Sequence, residues 1–82
     1  MTEHEVTEQA RAVLVRRLKV KPSAVTPETN IEELGVDSLD LVTLASEFEQ
    51  VFSIEIPTKD LMKIRTFGDI VQQLTAKVGS AV

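Results

Sequence analysis

The apolar residues of this chain recur at helical spacing in three stretches. They cover about residues 3–18, the stretch from Asp37 to Phe52, and the stretch from Thr66 to Gly79. Side chains three and four positions apart lie on the same face of an α-helix, so each stretch predicts an amphipathic helix. A shorter segment, from Thr58 to Ile64, predicts a small additional helix between the last two.

These elements predict an all-α fold, a small four-helix bundle with three main helices and a short third one. With 82 residues, the chain is expected to form a single domain, 1–82. A long loop, residues 19–36, separates helices one and two. Ile31 to Leu34 should form one turn within it, closed by Gly35.

Helix starts are marked by residues whose side chains can bond to backbone amides three positions away. Such pairs predict capping boxes, in which each side chain accepts a hydrogen bond from the other residue's amide. The chain has three of them: Thr2 with Glu5, Asp37 with Asp40, and Thr66 with Asp69.

The second helix has one face that predicts the core and another that does not. At about 100° per residue, six apolar side chains fall within roughly 120°. They are Leu41, Leu44, Ala45, Phe48, Val51 and Phe52. Leu39 and Val42 lie outside this arc, on a face shared with Thr43, Ser46 and Gln50. Beside Ser38, these two aliphatic residues are candidates for contact with a partner.

Charge is unevenly distributed along the chain, which has a net charge of −4. Residues 22–58 contain eight acidic residues and no Lys or Arg. This balance argues against nucleic acid as a partner. Neither a membrane-spanning segment nor a signal peptide is recognisable, so we expect a cytoplasmic protein that does not insert into membranes.

The residues needed for conventional catalysis are missing. Cysteine is absent, and the only histidine, His4, lies near the amino terminus, so no Ser-His-Asp arrangement is expected. The segment from Asp37 to Asp40 lacks the glycine and distal glutamate of a calcium loop. We therefore expect neither catalytic residues nor a metal site.

Ser38 has two interpretations that its neighbours leave open. It can be an ordinary cap residue of helix two, together with Asp37. Alternatively it carries a phosphodiester, which the helix amides and dipole would stabilise, while Gly35 lets the chain enter the helix sharply.

A family resemblance favours the second interpretation. The segment Gly35-Val36-Asp37-Ser38-Leu39-Asp40 resembles the G-x-D-S-L-[DE] motif at which acyl carrier proteins receive phosphopantetheine. The similarity extends through most of the chain. It includes Val20-Lys21, Val25-Thr26, Leu34, Glu55-Ile56-Pro57, Ile64 and Thr66-Phe67.

The resemblance implies a carrier without catalysis of its own. A phosphopantetheinyl transferase would attach 4′-phosphopantetheine from coenzyme A to Ser38. Acyl groups would then be held as thioesters for fatty-acid, polyketide or related lipid biosynthesis. Implied partners are that transferase and the acyltransferases and ketosynthases, with basic docking surfaces, acting on a monomeric carrier. The rival interpretation is an acidic helical protein-interaction domain without a prosthetic group.

The resemblance also assigns roles to individual positions. The expected partner-binding residues are Asp37, Leu39, Asp40, Val42, Glu47 and Glu49. The residues expected to line a cavity that shelters the acyl chain are Phe48, Ile56, Leu61 and Ile64.

Some positions depart from the usual pattern of fatty-acid carriers. Those proteins usually place an acid, a Met and another acid where this chain has Thr43, Ser46 and Gln50, and a Phe near Asn30 or Ile31. Arg65 adds a positive charge near the last helix. These departures favour a specialised carrier over one of the main fatty-acid cycle. Peptidyl carriers usually have a second glycine where Val36 stands, which disfavours an aminoacyl cargo.

Overall fold

The computed structural model describes residues 2–80 and shows an all-helical bundle. Its four α-helices are α1 (Glu3–Leu18), α2 (Ser38–Phe52), α3 (Thr58–Leu61) and α4 (Phe67–Ser80). Two short 3₁₀ turns, Pro22–Ala24 and Ile31–Leu34, lie between α1 and α2. No β-strand is found in the described part of the chain. The predicted fold class is confirmed.

The three predicted capping boxes form. At α1, the Thr2 hydroxyl accepts a hydrogen bond of 3.2 Å from the Glu5 amide, and the Glu5 carboxylate accepts one of 3.0 Å from the Thr2 amide. The Thr66 and Asp69 pair makes the same exchange at the start of α4. His4 lies in the first turn of α1, which the Thr2 and Glu5 pair caps. Each box satisfies amides that would otherwise lack a partner at the helix end.

Two predicted helix ends are wrong. Helix α3 ends at Leu61 and not at Ile64, because the chain continues in tighter turns. In these turns the Lys63 amide bonds to the Asp60 carbonyl and the Ile64 amide to the Leu61 carbonyl. Gly79 was expected to end α4, but this helix continues to Ser80 and Gly79 does not adopt a positive φ.

The core lies where α1 packs against both α2 and α4. Its most deeply buried side chains come from all three main helices and the loop. The largest of them are Phe67, Leu14, Leu44, Ile70 and Leu74. The arc predicted for α2 is buried except near the two ends of the helix: Leu41, in the first turn, is half-buried, and Val51, in the last turn, is 42% exposed. The prediction for Val51 is wrong because it lies at the edge of the arc in the last turn.

The loop between α1 and α2 is held by backbone pairing that the sequence pattern did not reveal. The Ile31 amide donates to the Arg65 carbonyl at 2.9 Å, and the Phe67 amide donates to the Thr29 carbonyl at 2.9 Å. The Gly68 amide donates to the Pro27 carbonyl at 3.0 Å. A long loop with this much pairing forms a fixed wall of the bundle.

None of the helices within residues 2–80 combines the length and the apolar character needed to cross a lipid bilayer.

Candidate functional site

Ser38 is placed by a short sequence of local constraints. The predicted turn Ile31–Leu34 forms, and Gly35 closes it with φ of 81°, a left-handed conformation that glycine adopts without strain. The Val36 side chain then enters the core, with only 6% of its surface exposed. Asp37 is extended and caps α2, so that Ser38 becomes the first residue of this helix.

Asp37 and Asp40 fix the geometry of the helix start. The Asp37 carboxylate accepts a hydrogen bond of 2.8 Å from the Asp40 amide, and the Asp40 carboxylate accepts one of 3.3 Å from the Asp37 amide. The first hydrogen bond between backbone groups four residues apart in α2 joins the Leu41 amide to the Asp37 carbonyl. The amides of Ser38 and Leu39 come before it and take no part in the helix hydrogen bonds. They are therefore available, together with the positive end of the helix dipole, to an anion beside Ser38.

Ser38 opens onto a groove between the start of α2 and the segment that joins α3 to α4. The Ser38 side chain is exposed, and its hydroxyl makes no hydrogen bond within residues 2–80. The groove has a volume of about 510 Å³. The residues lining it are Asn30, Ile31, Glu32, Val36, Asp37, Ser38, Leu41, Val42, Thr58, Leu61, Met62, Ile64 and Arg65. This space is large enough to accommodate a flexible arm alongside the helix.

A second, nearly closed cleft lies deeper between α2, α3 and α4. Its volume is about 10 Å³. All four residues predicted to line an acyl cavity meet here, namely Phe48, Ile56, Leu61 and Ile64. The groove and the cleft share Leu41, Leu61 and Ile64, so these three side chains separate them. Rotation of these side chains is the direct way to connect the two spaces.

Exposed apolar side chains surround Ser38. Leu39 is 77% exposed and Val42 is 52% exposed, as their positions outside the core arc predict. Met62, just after α3, is 74% exposed and lines the same groove, a feature that sequence reasoning missed. The exposure of Met62 could have been predicted, because Leu61 and Ile64 face the core in the same turn and leave Met62 pointing away from it. Such clustered exposure is typical of contact surfaces.

Two of the acidic residues predicted for partner binding make contacts within the protein. Glu47 bonds to Arg16 at 3.2 Å and to Arg17 at 3.1 Å, both from α1. Burial by itself would raise the pKa of Glu47, but the hydrogen bonds and charges of Arg17 and Arg16 outweigh it and hold this pKa below its usual value. The Glu49 carboxylate accepts a hydrogen bond of 2.8 Å from the Ile56 amide. The acids nearest to Ser38, Asp37 and Asp40, are free of basic partners within residues 2–80.

Comparison with known proteins agrees with this geometry. The family model described as phosphopantetheine attachment site matches residues 8–74. An acyl carrier protein of Thermotoga maritima is 41% identical over 76 residues, which is 92% of this chain and 94% of the relative. An acyl carrier protein of Amoebophilus asiaticus is 40% identical over 75 residues, 90% of this chain and 94% of the relative.

The fold has a solved counterpart as well. A crystal structure of an acyl carrier protein from Thermotoga maritima superposes with a TM-score of 0.85 at 22% identity, covering 98% of this chain and 94% of that one. This likeness concerns the fold, whereas the family model and the two relatives concern the sequence over most of its length. Together they show that the chain belongs to the acyl carrier protein family, whose members carry phosphopantetheine.

Proposed function

We propose that Ser38 is the residue of this acyl carrier protein to which a transferase attaches 4′-phosphopantetheine. The observation that carries the proposal is the exposed Ser38 hydroxyl at the first position of α2, beside the open groove and without a hydrogen bond to any described residue. Phosphopantetheine supplies a terminal thiol, on which acyl groups are carried as thioesters. The protein is a carrier and not a catalyst, which fits a chain that has no cysteine of its own.

The residues around Ser38 fit a phosphodiester. The free amides of Ser38 and Leu39 and the dipole of α2 stabilise negative charge at this point. The carboxylates of Asp37 and Asp40 each accept a hydrogen bond from the other residue's backbone amide. The helix start is therefore rigid before any modification. Among the described residues that line the groove, Arg65 is the one basic residue, and its charge offsets the acids of the groove wall.

Modification of the wild-type protein tests this proposal. The purified chain is incubated with coenzyme A and a broad-specificity phosphopantetheinyl transferase, and its intact mass is recorded before and after. The expected result is a mass gain of one phosphopantetheine, which peptide mapping places on Ser38. Absence of any gain with several transferases, or attachment to another residue, would contradict the proposal.

We infer that Phe48, Ile56, Leu61 and Ile64 shelter the acyl chain. They line the closed cleft, which is too small for a chain in its present form and would have to widen. The short helix α3 is suited to this movement, because it has four residues and contributes one buried side chain, Leu61. An acyl chain entering past Leu41 would replace contacts between side chains by contacts with its own methylene groups.

The surface offered to partner enzymes is proposed to comprise Asp37, Leu39, Asp40 and Val42. Transferases, acyltransferases and ketosynthases with basic docking surfaces would meet these acids and the exposed aliphatic side chains together. Glu47 and Glu49 were expected in the same surface, and a role for them in partner binding stays a prediction. The charge of Glu47 is already compensated by two arginines, so reversing it would also disturb the contact between α1 and α2.

Substitution of Leu39 by serine tests this surface. Because Leu39 is 77% exposed, the free energy of unfolding should change by no more than about 0.5 kcal/mol. The kcat/KM of the transferase should fall about fivefold, the effect of losing about 1 kcal/mol at an interface. Val51→Ser is the matched control, since Val51 is an exposed aliphatic residue at the far end of α2. Equal effects of the two substitutions would exclude a specific role for Leu39.

We infer further that the carrier is specialised and serves a pathway other than the main fatty-acid cycle. Thr43, Ser46 and Gln50 are all exposed on α2. A partner enzyme whose surface fits acids and a Met at these positions would contact three uncharged polar side chains instead. A monomeric state and a cytoplasmic location also remain predictions.

A triple substitution tests the specialised role. Thr43→Glu, Ser46→Met and Gln50→Glu together should raise the rate of chain elongation by a housekeeping fatty-acid synthase, because they restore the usual surface. Stability should change little, since all three positions are exposed. Elongation is compared among the wild type, the triple variant and a fatty-acid carrier, all bearing phosphopantetheine. A wild type whose elongation rate already matches that of the fatty-acid carrier would contradict the specialised role and indicate general fatty-acid synthesis.

A further inference from the structure

Among the described residues that line the closed cleft, Gln73 alone has a polar side chain. Its nitrogen Nε2 donates a hydrogen bond of 2.8 Å to the backbone carbonyl oxygen of Asp60. Because a carbonyl oxygen can only accept, this bond determines which end of the amide faces Asp60. The other end, the oxygen Oε1, is therefore the atom that remains for a second partner.

No donor within residues 2–80 reaches Oε1 of Gln73, although this atom is buried. Buried acceptors in proteins are almost always paired with a protein group or an ordered water. A water molecule fits poorly here, because a volume of about 10 Å³ barely holds one. A buried water also needs about two to four polar partners, and no described residue lining the cleft other than Gln73 has a polar side chain. A donor carried by a ligand that widens the cleft as it enters would pair Oε1 directly.

We propose that the cleft prefers acyl chains bearing a hydroxyl group, which donates a hydrogen bond to Oε1 of Gln73, over unsubstituted chains of the same length. The inference rests on the proposed function, since the chain must be held at Ser38 and enter past Leu41, Leu61 and Ile64. An unsubstituted chain would leave Oε1 buried without a partner. A site built to form a hydrogen bond rejects the analogue that lacks the group, because its own polar atom is then unpaired.

A hydroxyl group is the donor that suits this position. It is compact and uncharged, so an otherwise apolar cleft can bury it once it is hydrogen-bonded. An ammonium group would lose its hydration without meeting a carboxylate inside the cleft, which costs far more. The carboxylate of Asp60, the residue whose carbonyl binds Gln73, is already bonded to Lys77 at 2.8 Å. The chemistry of the cleft therefore selects a hydroxyacyl cargo and not an aminoacyl one.

The test compares three thioesters on the wild-type protein bearing phosphopantetheine: octanoyl, β-hydroxyoctanoyl and ω-hydroxyoctanoyl. Two quantities are measured, the rate of spontaneous thioester hydrolysis and the NMR signals of the Nε2 protons of Gln73. At least one hydroxyacyl form should hydrolyse about three- to tenfold more slowly than the octanoyl form, the factor expected from one net hydrogen bond. The same form should shift the Gln73 signals further than the octanoyl form does, because both chains enter the cleft but only the hydroxyl bonds to the amide.

A variant removes the acceptor while keeping the length of the side chain. Gln73→Met should abolish the difference between the hydroxyacyl and octanoyl forms, and Gln72→Met, at the exposed neighbouring position, should retain it. Circular dichroism checks that both variants fold, because Gln73→Met also loses the bond to Asp60.

Equal hydrolysis of the three wild-type thioesters, with the same Gln73 signals in all three, would overturn the inference whether or not the variant folds. That result would leave the proposed function intact, since loading at Ser38 would have succeeded. Failure to load any thioester at Ser38 would overturn the proposed function and this inference together.

Discussion

Replacement of Ser38 by alanine is expected to abolish the attachment of phosphopantetheine while leaving the fold intact. The substitution removes the one hydroxyl that stands at the start of α2, and no neighbouring side chain can take its place at the same helix end. The Ser38 side chain is exposed and makes no hydrogen bond within residues 2–80, so the free energy of unfolding should change by no more than about 0.5 kcal/mol. Intact mass after incubation with transferase and coenzyme A measures the first effect, and urea denaturation the second.

Ser46→Ala provides the matched control for this experiment. Ser46 is also an exposed serine on α2, but it lies two turns further along the helix, away from the groove. This variant should gain one phosphopantetheine at the wild-type rate. A Ser38→Ala protein that is still modified would show that the attachment point lies elsewhere, while a Ser46→Ala protein that is not would indicate a general disturbance of α2.

The local features of the site were predictable because each depends on residues close together in sequence. The capping boxes join residues three positions apart, so their residue types alone indicate them. Gly35 is likewise recognisable, because a turn followed directly by a helix needs a residue that tolerates positive φ. Exposure of Leu39 and Val42 follows from their angular position relative to the apolar arc of α2.

Contacts between distant segments were not predictable from these patterns. Glu47 meets Arg16 and Arg17, about thirty positions away in sequence, and only the packing of α1 on α2 brings them together. The same is true of the amide of Gln73, whose bond to Asp60 depends on how α3 lies against α4. Charge and periodicity place these residues on helices, but the pairing of helix faces is decided by the shape of the whole core.

The pairing of the loop with the start of α4 is the least predictable feature and one of the most important. A side chain at Gly68 would place its Cβ 2.8 Å from the Pro27 carbonyl oxygen, so this close approach requires glycine. The pairing also holds Asn30, Ile31 and Arg65, which line the groove beside Ser38. The wall of the functional groove thus depends on residues far from the attachment motif.

Phe67 anchors this pairing to the rest of the bundle. Its side chain has no exposed surface, and its amide bonds to the Thr29 carbonyl. The guanidinium carbon of Arg11 lies 5.6 Å from the centre of the Phe67 ring, and Nε of Arg11 donates to the Val25 carbonyl at 3.0 Å. One ring therefore joins α1, the loop and α4, and the cation contributes attraction beyond simple burial.

Phe67→Ala should consequently destabilise the protein by about 3–5 kcal/mol, the usual cost of removing a fully buried phenylalanine ring. Small domains have a free energy of unfolding of only about 5–15 kcal/mol, so this loss is a large fraction of the total. The urea midpoint should fall by at least about 1 M. Amide hydrogen exchange should accelerate at Phe67 and Gly68, whose bonds hold the loop.

A milder substitution at the same position distinguishes the loss of the aromatic ring from the loss of apolar volume. Phe67→Leu keeps most of the apolar volume but loses the aromatic face beneath Arg11, so its cost should be well below that of alanine. Any Phe67→Ala protein that remains folded at low temperature should accept phosphopantetheine more slowly, because the loop wall of the groove is no longer held. A loss of stability below about 1 kcal/mol for Phe67→Ala would contradict the role of this ring as the anchor, since surface positions account for changes of that size.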